Sequence, residues 1–155
     1  MSSENRTSVP NSLNEHWMPF TSNKDFKANP RLITEAKGVY LKTHHGKTQI
    51  DASSGLFCNP LGHGRKEITE AVTKQLDTLD YAQPFQQGFG GSFELASKIA
   101  KHTPGDLNKM FFTICGSTAV ETAIKIAVAY HRAKGDAQRF RFVGRERGYH
   151  GMNIG

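Results

Sequence analysis

The chain has 155 residues, of which 37% are hydrophobic and 10% aromatic, a composition that fits a globular protein and excludes a wholly disordered one. Its formal net charge of +6 is spread along the chain, so it favours anionic ligands without identifying a nucleic-acid binder. The sequence has no apolar run of membrane-spanning length, and its first fifteen residues are polar, so we expect no secretion signal. Cys58 and Cys115 lack metal-binding spacing, and we expect buried free thiols in a reducing, cytoplasmic compartment.

An aromatic cluster lies in residues 16–21. It contains Trp17 and Phe20, and Pro19 interrupts it. Two interpretations are open: an apolar anchor for the N-terminal arm, or a wall of an apolar pocket. From the residues alone, we favour the anchor.

A β-hairpin is predicted next. Residues 38–43 and 48–51 read as strands, with Gly46 in the turn between them. The run Gly46-Lys47-Thr48 also resembles the end of a phosphate-binding P-loop. That motif requires glycine where Leu41 stands and a helix afterwards, so we reject it.

Two helices follow, each after an irregular stretch. Residues 53–64 are rich in glycine, proline and asparagine, and their apolar side chains predict a loop that packs inward. Apolar residues at helical spacing predict a helix over 65–79. Residues 78–91 are irregular again, and Ser92 is expected to cap a second helix that ends at Pro104.

The most informative stretch is a predicted strand, turn and helix. Residues 111–114 form a short apolar run, Gly116 permits a sharp turn, and Ser117 or Thr118 can cap the helix, with Thr118 and Glu121 spaced as a capping box. Such a turn directs backbone N–H groups and a helix N-terminus at one spot, which suits a phosphate. On local features alone, an ordinary strand-to-helix connection remains the favoured interpretation.

A further strand is predicted over residues 139–144, where Phe140 and Phe142 alternate with arginines. RNA binding through these arginines is the less favoured alternative to a solvated strand face. Helices and strands alternate from residue 65 onward, which predicts an α/β sheet that is incomplete within this chain. We therefore expect exposed aromatic side chains on both predicted strands.

Several blocks in order along the chain resemble the N-terminal third of class III pyridoxal-phosphate aminotransferases, in the branch that transfers amino groups from ω-amino acids such as β-alanine to pyruvate. The matching blocks are residues 16–21, 55–57, 62–64, 80–82, 84–85, 111–125 and 148–151. The resemblance implies part of a fold type I, homodimeric enzyme. Residues 1–64 would be the N-terminal arm and hairpin segment of the small domain, and residues 65–155 the start of the large cofactor-binding domain.

The resemblance also implies site residues. Gly116 and Ser117 would hold the phosphate of pyridoxal 5′-phosphate, and Tyr149 would stack on its ring. Cys115 would also belong to the cofactor site, and His150, the neighbour of Tyr149 in the motif, would either bind the cofactor or be structural. Cys115 and Thr118 depart from the residues that family members commonly carry at the turn. In the substrate pocket the resemblance places four aromatic residues, one of them across the dimer interface: Trp17, Phe20, Phe57 and Phe85, the last being the interface residue.

The lysine that forms the Schiff base and the aspartate that pairs with the ring nitrogen would both lie beyond Gly155. We therefore expect the 155 residues alone to be inactive. The alternative is a non-catalytic remnant, or a dimerisation module that pairs with a full-length aminotransferase.

Overall fold

A computed structural model describes residues 9–154. The chain divides into two compact units, the first extending to Tyr81 and the second beginning at Ala82. The predicted domain boundary between residues 64 and 65 stays a prediction.

The first unit contains a three-stranded antiparallel sheet in the order β1-β2-β3. Its elements, in chain order, are α1 (Asn23–Ala28), β1 (Ile33–Lys37), β2 (Tyr40–Thr43), β3 (Thr48–Ile50) and α2 (Lys66–Thr78). The predicted hairpin is confirmed as β2 and β3, with Gly46 at a φ of +78° in the turn. The helix predicted over 65–79 is confirmed as α2, whereas α1 and β1 had no counterpart in the prediction.

The second unit contains α3 (Gly90–Ala100) and α4 (Gly116–Ala133). The prediction that Ser92 caps α3 is wrong: Phe89 is the N-cap residue. The Ser92 hydroxyl lies inside the first turn and donates to the Phe89 carbonyl oxygen at 2.7 Å. Helix α3 also ends before Pro104, at Ala100.

The two strands predicted in this unit are not formed. Residues 111–114 and 139–144 belong to no strand, and the sheet of the first unit is the one sheet among residues 9–154. An apolar or alternating run becomes a strand only when a neighbouring segment pairs with its backbone groups, and neither segment finds such a partner in the described chain. The expected exposure of their aromatic side chains is confirmed for Phe111, Phe112, Phe140 and Phe142.

Apolar side chains are generally accessible in this structure. None is fully buried among the described residues. Two expectations are therefore wrong: Leu56 and Phe57 do not pack inward, and the thiols of both cysteines are exposed. No helix in the described part is long and apolar enough to cross a membrane.

Candidate cofactor site

The candidate site begins at the N-terminus of α4, which Cys115 caps. Cys115 is extended, with φ −161° and ψ 169°, and it forms a reciprocal capping box with Thr118. The Cys115 N–H donates to the Thr118 hydroxyl oxygen at 3.3 Å, and the Cys115 sulfur accepts from the Thr118 N–H. The prediction that Ser117 or Thr118 caps the helix is therefore wrong, because the cap lies two or three residues earlier. The predicted capping box between Thr118 and Glu121 is also wrong, because the observed box begins three residues earlier. A thiol is a weak acceptor, so no residue pattern favoured Cys115 as the cap.

The cap also sets the electrostatics of the thiol. The backbone N–H of Thr118, followed by its hydroxyl, lowers the pKa of Cys115 below its ordinary value of 9.0, because both hydrogen bonds favour the thiolate. The Cys115 sulfur therefore serves as an acceptor in the helix cap. Thr118, which departs from the family pattern, also forms part of the cap, because its hydroxyl donates to the Cys115 carbonyl oxygen at 2.9 Å.

Gly116 and Ser117 form the first turn of α4 and leave open space in front of it. A Cβ added at Gly116 would meet no atom within 4 Å. The Gly116 N–H has no acceptor in the described part of the chain, and the positive end of the helix dipole lies at the same place. This is the combination of open space and free donor that an anion requires.

The loop of residues 148–153 docks against this turn. A Cβ at Gly151 would lie 2.7 Å from the Ser117 Cα and 2.8 Å from its Oγ, so the two backbones approach as closely as glycine allows. The Met152 N–H donates to the Ser117 Oγ at 3.0 Å. The Ser117 hydroxyl proton therefore stays available for another acceptor, and no acceptor for it is found among residues 9–154.

Docking brings two predicted site residues to the turn. Tyr149 and His150 line a cavity of about 270 Å³ together with the first turn of α4. The complete lining is Cys115, Gly116, Ser117, Val120, Tyr149, His150 and Gly151. The side chain of Tyr149 is 73% exposed, so one face of its ring is free to receive a planar ligand.

The structure thus brings together all five residues predicted for the cofactor. Val120 and Gly151 were missed as lining residues. Val120 lies one helical turn after Gly116, and this i+4 spacing could have indicated a shared face. The close approach of Gly151 to Ser117 spans 34 positions of sequence, and no local pattern could have found it.

The four predicted substrate residues are not joined into one pocket by the described contacts. Trp17, Phe20 and Phe57 belong to the first unit, and their side chains are 87%, 81% and 84% exposed. Phe85 belongs to the second unit, is 80% exposed and does not line the cavity beside Tyr149.

Phe57 lies in an unusual backbone turn. The four residues 54–57 have positive φ values of 51°, 59°, 56° and 69°, a left-handed turn in which only residue 55 is glycine. The Phe57 N–H donates to the Ser53 carbonyl oxygen at 2.9 Å. This turn directs two consecutive apolar side chains, Leu56 and Phe57, into solvent.

Asp51 holds this turn. Its carboxylate accepts from the Gly55 N–H at 3.0 Å, the Ser53 hydroxyl at 3.3 Å and the His63 Nε2 at 2.9 Å. The Gly55 hydrogen bond, followed by that of His63, lowers the pKa of Asp51 below 3.8. His63 is itself fixed by two backbone hydrogen bonds with Gly38, so Asp51 joins both ends of the loop to the sheet.

Comparison with known proteins identifies aminotransferases that are similar to this chain. Residues 21–155 match the family described as aminotransferase class-III. The chain is 51% identical over 142 residues to the omega-amino acid–pyruvate aminotransferase of Pseudomonas putida, covering 92% of this chain and 32% of that protein. It is 50% identical, over the same length and shares, to the beta-alanine–pyruvate aminotransferase of Pseudomonas aeruginosa. The chain thus spans about a third of the length of these relatives.

A solved structure is similar to this chain in fold. The omega transaminase from Pseudomonas jessenii in complex with PMP (pyridoxamine 5′-phosphate) matches 92% of this chain and 32% of its own, with a TM-score of 0.87 and 29% identity. The predicted α/β fold class, as a partial segment of a pyridoxal-phosphate-dependent transaminase, is confirmed by this likeness.

Proposed function

Because the chain belongs to the class-III aminotransferase family, whose members depend on pyridoxal 5′-phosphate, we propose that it supplies the phosphate- and ring-binding segment of such an enzyme. The reaction would transfer an amino group from an ω-amino acid such as β-alanine to pyruvate, as the names of the two Pseudomonas relatives state for those proteins. The single observation that carries the proposal is the cavity that joins the first turn of α4 to Tyr149.

The residues of the cavity fit the cofactor. Bound there, pyridoxal phosphate would supply an electron sink for the carbon that loses or gains the amino group. The Gly116 N–H and the Ser117 hydroxyl would donate to its phosphate, and the positive end of α4 would stabilise the negative charge. Cys115 would act by fixing the helix cap and, with it, the direction of these donors.

Tyr149 would orient the ring. Its exposed aromatic face can stack on a planar heterocycle and exclude water from one side of it. His150 folds back along the loop: a Cβ at Gly148 would lie 2.8 Å from the His150 Nε2. We therefore assign His150 to the shape of the loop that carries Tyr149.

The substrate would meet aromatic side chains. Trp17, Phe20 and Phe57 are proposed as apolar walls, and Phe85 as a wall contributed across the interface of a homodimer. Their high exposure supports this proposal, because an aromatic side chain that contacts a substrate must be reachable. The two free thiols support a reducing, cytoplasmic location.

We further propose that the 155-residue chain alone does not transaminate. None of its lysines occupies the sequence context that the family uses to hold the cofactor covalently. The chain would then bind the cofactor through its phosphate and ring without turning over β-alanine and pyruvate.

A titration with pyridoxamine 5′-phosphate tests the proposed site. Quenching of the ligand's fluorescence should reveal binding to the purified chain, and unphosphorylated pyridoxamine should bind much more weakly. Ser117→Ala should weaken binding roughly tenfold, because it removes one hydrogen bond to a charged group. The matched control is Ser92→Ala in the same unit, which does not line the cavity and should bind as the wild type does.

Two outcomes would contradict the proposal. Equal affinity for the phosphorylated and unphosphorylated ligands would remove the phosphate site, and an unchanged affinity in Ser117→Ala would remove Ser117 from it. Formation of alanine from β-alanine and pyruvate by the chain alone would contradict the proposed inactivity.

A further inference from the structure

The loop of residues 148–153 is attached to α4 at a second point beyond Ser117. The Asn153 Nδ2 donates to the Glu121 Oε2 at 2.8 Å. Ser117 and Glu121 are one helical turn apart and therefore share a face of α4. The loop is thus held at two successive positions along that face, by Met152 and by Asn153.

A second partner, Lys125, holds Glu121 in place for this contact. Lys125, four residues further along α4, binds the other carboxylate oxygen, Oε1, at 2.6 Å. The two oxygens of Glu121 therefore have different partners, and the side chain is only 22% exposed. Lys125 first, and Asn153 second, lower the pKa of Glu121 below 4.5, so the acceptor of the Asn153 amide is a charged carboxylate near neutral pH.

The attachment determines where Tyr149 lies. Gly148 donates to the Arg145 carbonyl oxygen at 3.0 Å and so fixes the start of the loop, while the contacts of residues 151–153 fix its end. Tyr149 stands between these two anchored points, and its exposed side chain makes no hydrogen bond within the described chain. Its position on the cavity wall therefore depends on the anchors, not on contacts of its own.

We infer that Asn153 and Glu121 are positioning residues for the cofactor ring: they form a clamp, fixed by Lys125, that holds the loop so that Tyr149 faces the first turn of α4. The inference rests on the proposed function, because it assigns the clamp to the same cavity. Asn153 and Glu121 do not line that cavity. They act through Tyr149.

A double-mutant cycle tests the clamp. Fluorescence titration with pyridoxamine 5′-phosphate is carried out on the wild type, Asn153→Ala, Tyr149→Ala and the double variant. Asn153→Ala should weaken binding about tenfold, the effect of losing one hydrogen bond to a charged group. In the Tyr149→Ala background, the same substitution should change the affinity less than twofold, because the residue on which the clamp acts is gone. Asn108→Ala, at another exposed asparagine of the same unit, is the matched control and should leave binding unchanged.

A second measurement does not require a ligand. Hydrogen exchange of the Met152 amide should be slower in the wild type than in Asn153→Ala by about tenfold, because release of the clamp also frees the neighbouring bond to Ser117. This readout separates the clamp from the proposed cofactor site.

Three results would overturn the clamp or the proposed function. If the wild type does not bind the ligand, the proposed function fails, and the assignment of the clamp to a cofactor ring is overturned with it, even if Met152 remains protected. If the wild type binds and Asn153→Ala binds equally well, only the clamp is overturned. An equal loss from Asn153→Ala with and without Tyr149 would also overturn it, because a purely structural role predicts that result.

Discussion

Replacing Gly151 with alanine should detach the loop from α4. The new Cβ would stand 2.7 Å from the Ser117 Cα and 3.0 Å from its Cβ, distances that no flexible side chain can relieve because one of the atoms belongs to the helix backbone. The φ of +111° adds strain for any residue with a Cβ, typically about 1–3 kcal/mol. The Met152–Ser117 hydrogen bond stabilises the docked loop against this strain by about 1 kcal/mol. A penalty of about 1–3 kcal/mol lowers the equilibrium constant between the docked and the undocked loop roughly 5- to 150-fold.

Hydrogen exchange of the Met152 amide, followed by NMR, measures this loss directly. Exchange in Gly151→Ala should accelerate toward the rate of an unprotected amide, while the circular dichroism of α4 stays unchanged, since its capping box lies elsewhere. Gly144→Ala is the matched control, because a Cβ there meets no atom within 4 Å and its φ is not positive. Exchange at the wild-type rate in Gly151→Ala would refute the close approach and, with it, the account of how Tyr149 reaches the cavity.

Gly116→Ala should preserve the helix, because its Cβ meets nothing, yet lower the affinity for pyridoxamine 5′-phosphate about tenfold by filling the space in front of the turn; unchanged affinity in a fluorescence titration would contradict this. Because the pKa of Asp51 is lowered in the folded chain, its contribution to the stability of the 51–63 loop is complete above pH 3.8 and is lost as the pH falls through the lowered value. The midpoint of the pH-dependent shift of the Gly55 amide should therefore lie below pH 3.8, and this transition should be absent in Asp51→Asn; a midpoint above pH 3.8 would contradict the lowered pKa of Asp51. The accessible apolar side chains should bind 8-anilinonaphthalene sulfonate under native conditions, and a lack of fluorescence enhancement would indicate a covered surface.

The sequence predicted features that are decided by neighbouring residues. The hairpin at Gly46 and helix α2 follow from alternating or helical apolar spacing, and both are present. The turn at Gly116 was located correctly as well, although its cap was placed too far along the chain, because a thiol is not an expected capping group. Helix α1, with six residues, is too short to carry a helical period.

Features decided by distant partners could not be predicted in this way. Residues 111–114 have the composition of a strand, but a strand exists only where a second segment pairs with it, and composition does not reveal the partner. The docking of Gly151 on Ser117 likewise depends on two segments that meet in space. The family resemblance implied that the two segments are close, because it assigned Tyr149 and Ser117 to the same ligand.

The left-handed turn at residues 54–57 has a consequence for the evolution of this segment. Each of its three non-glycine residues costs roughly 1–2 kcal/mol in this conformation, and their sum is comparable with the whole stability of a marginal domain. Glycine at position 56 or 57 would relieve part of that cost and remove the apolar side chain at the same time. A library of variants selected for heat resistance alone should therefore accumulate glycine there, whereas the substrate wall proposed for Phe57 predicts that selection for amine recognition retains this residue at a lower melting temperature.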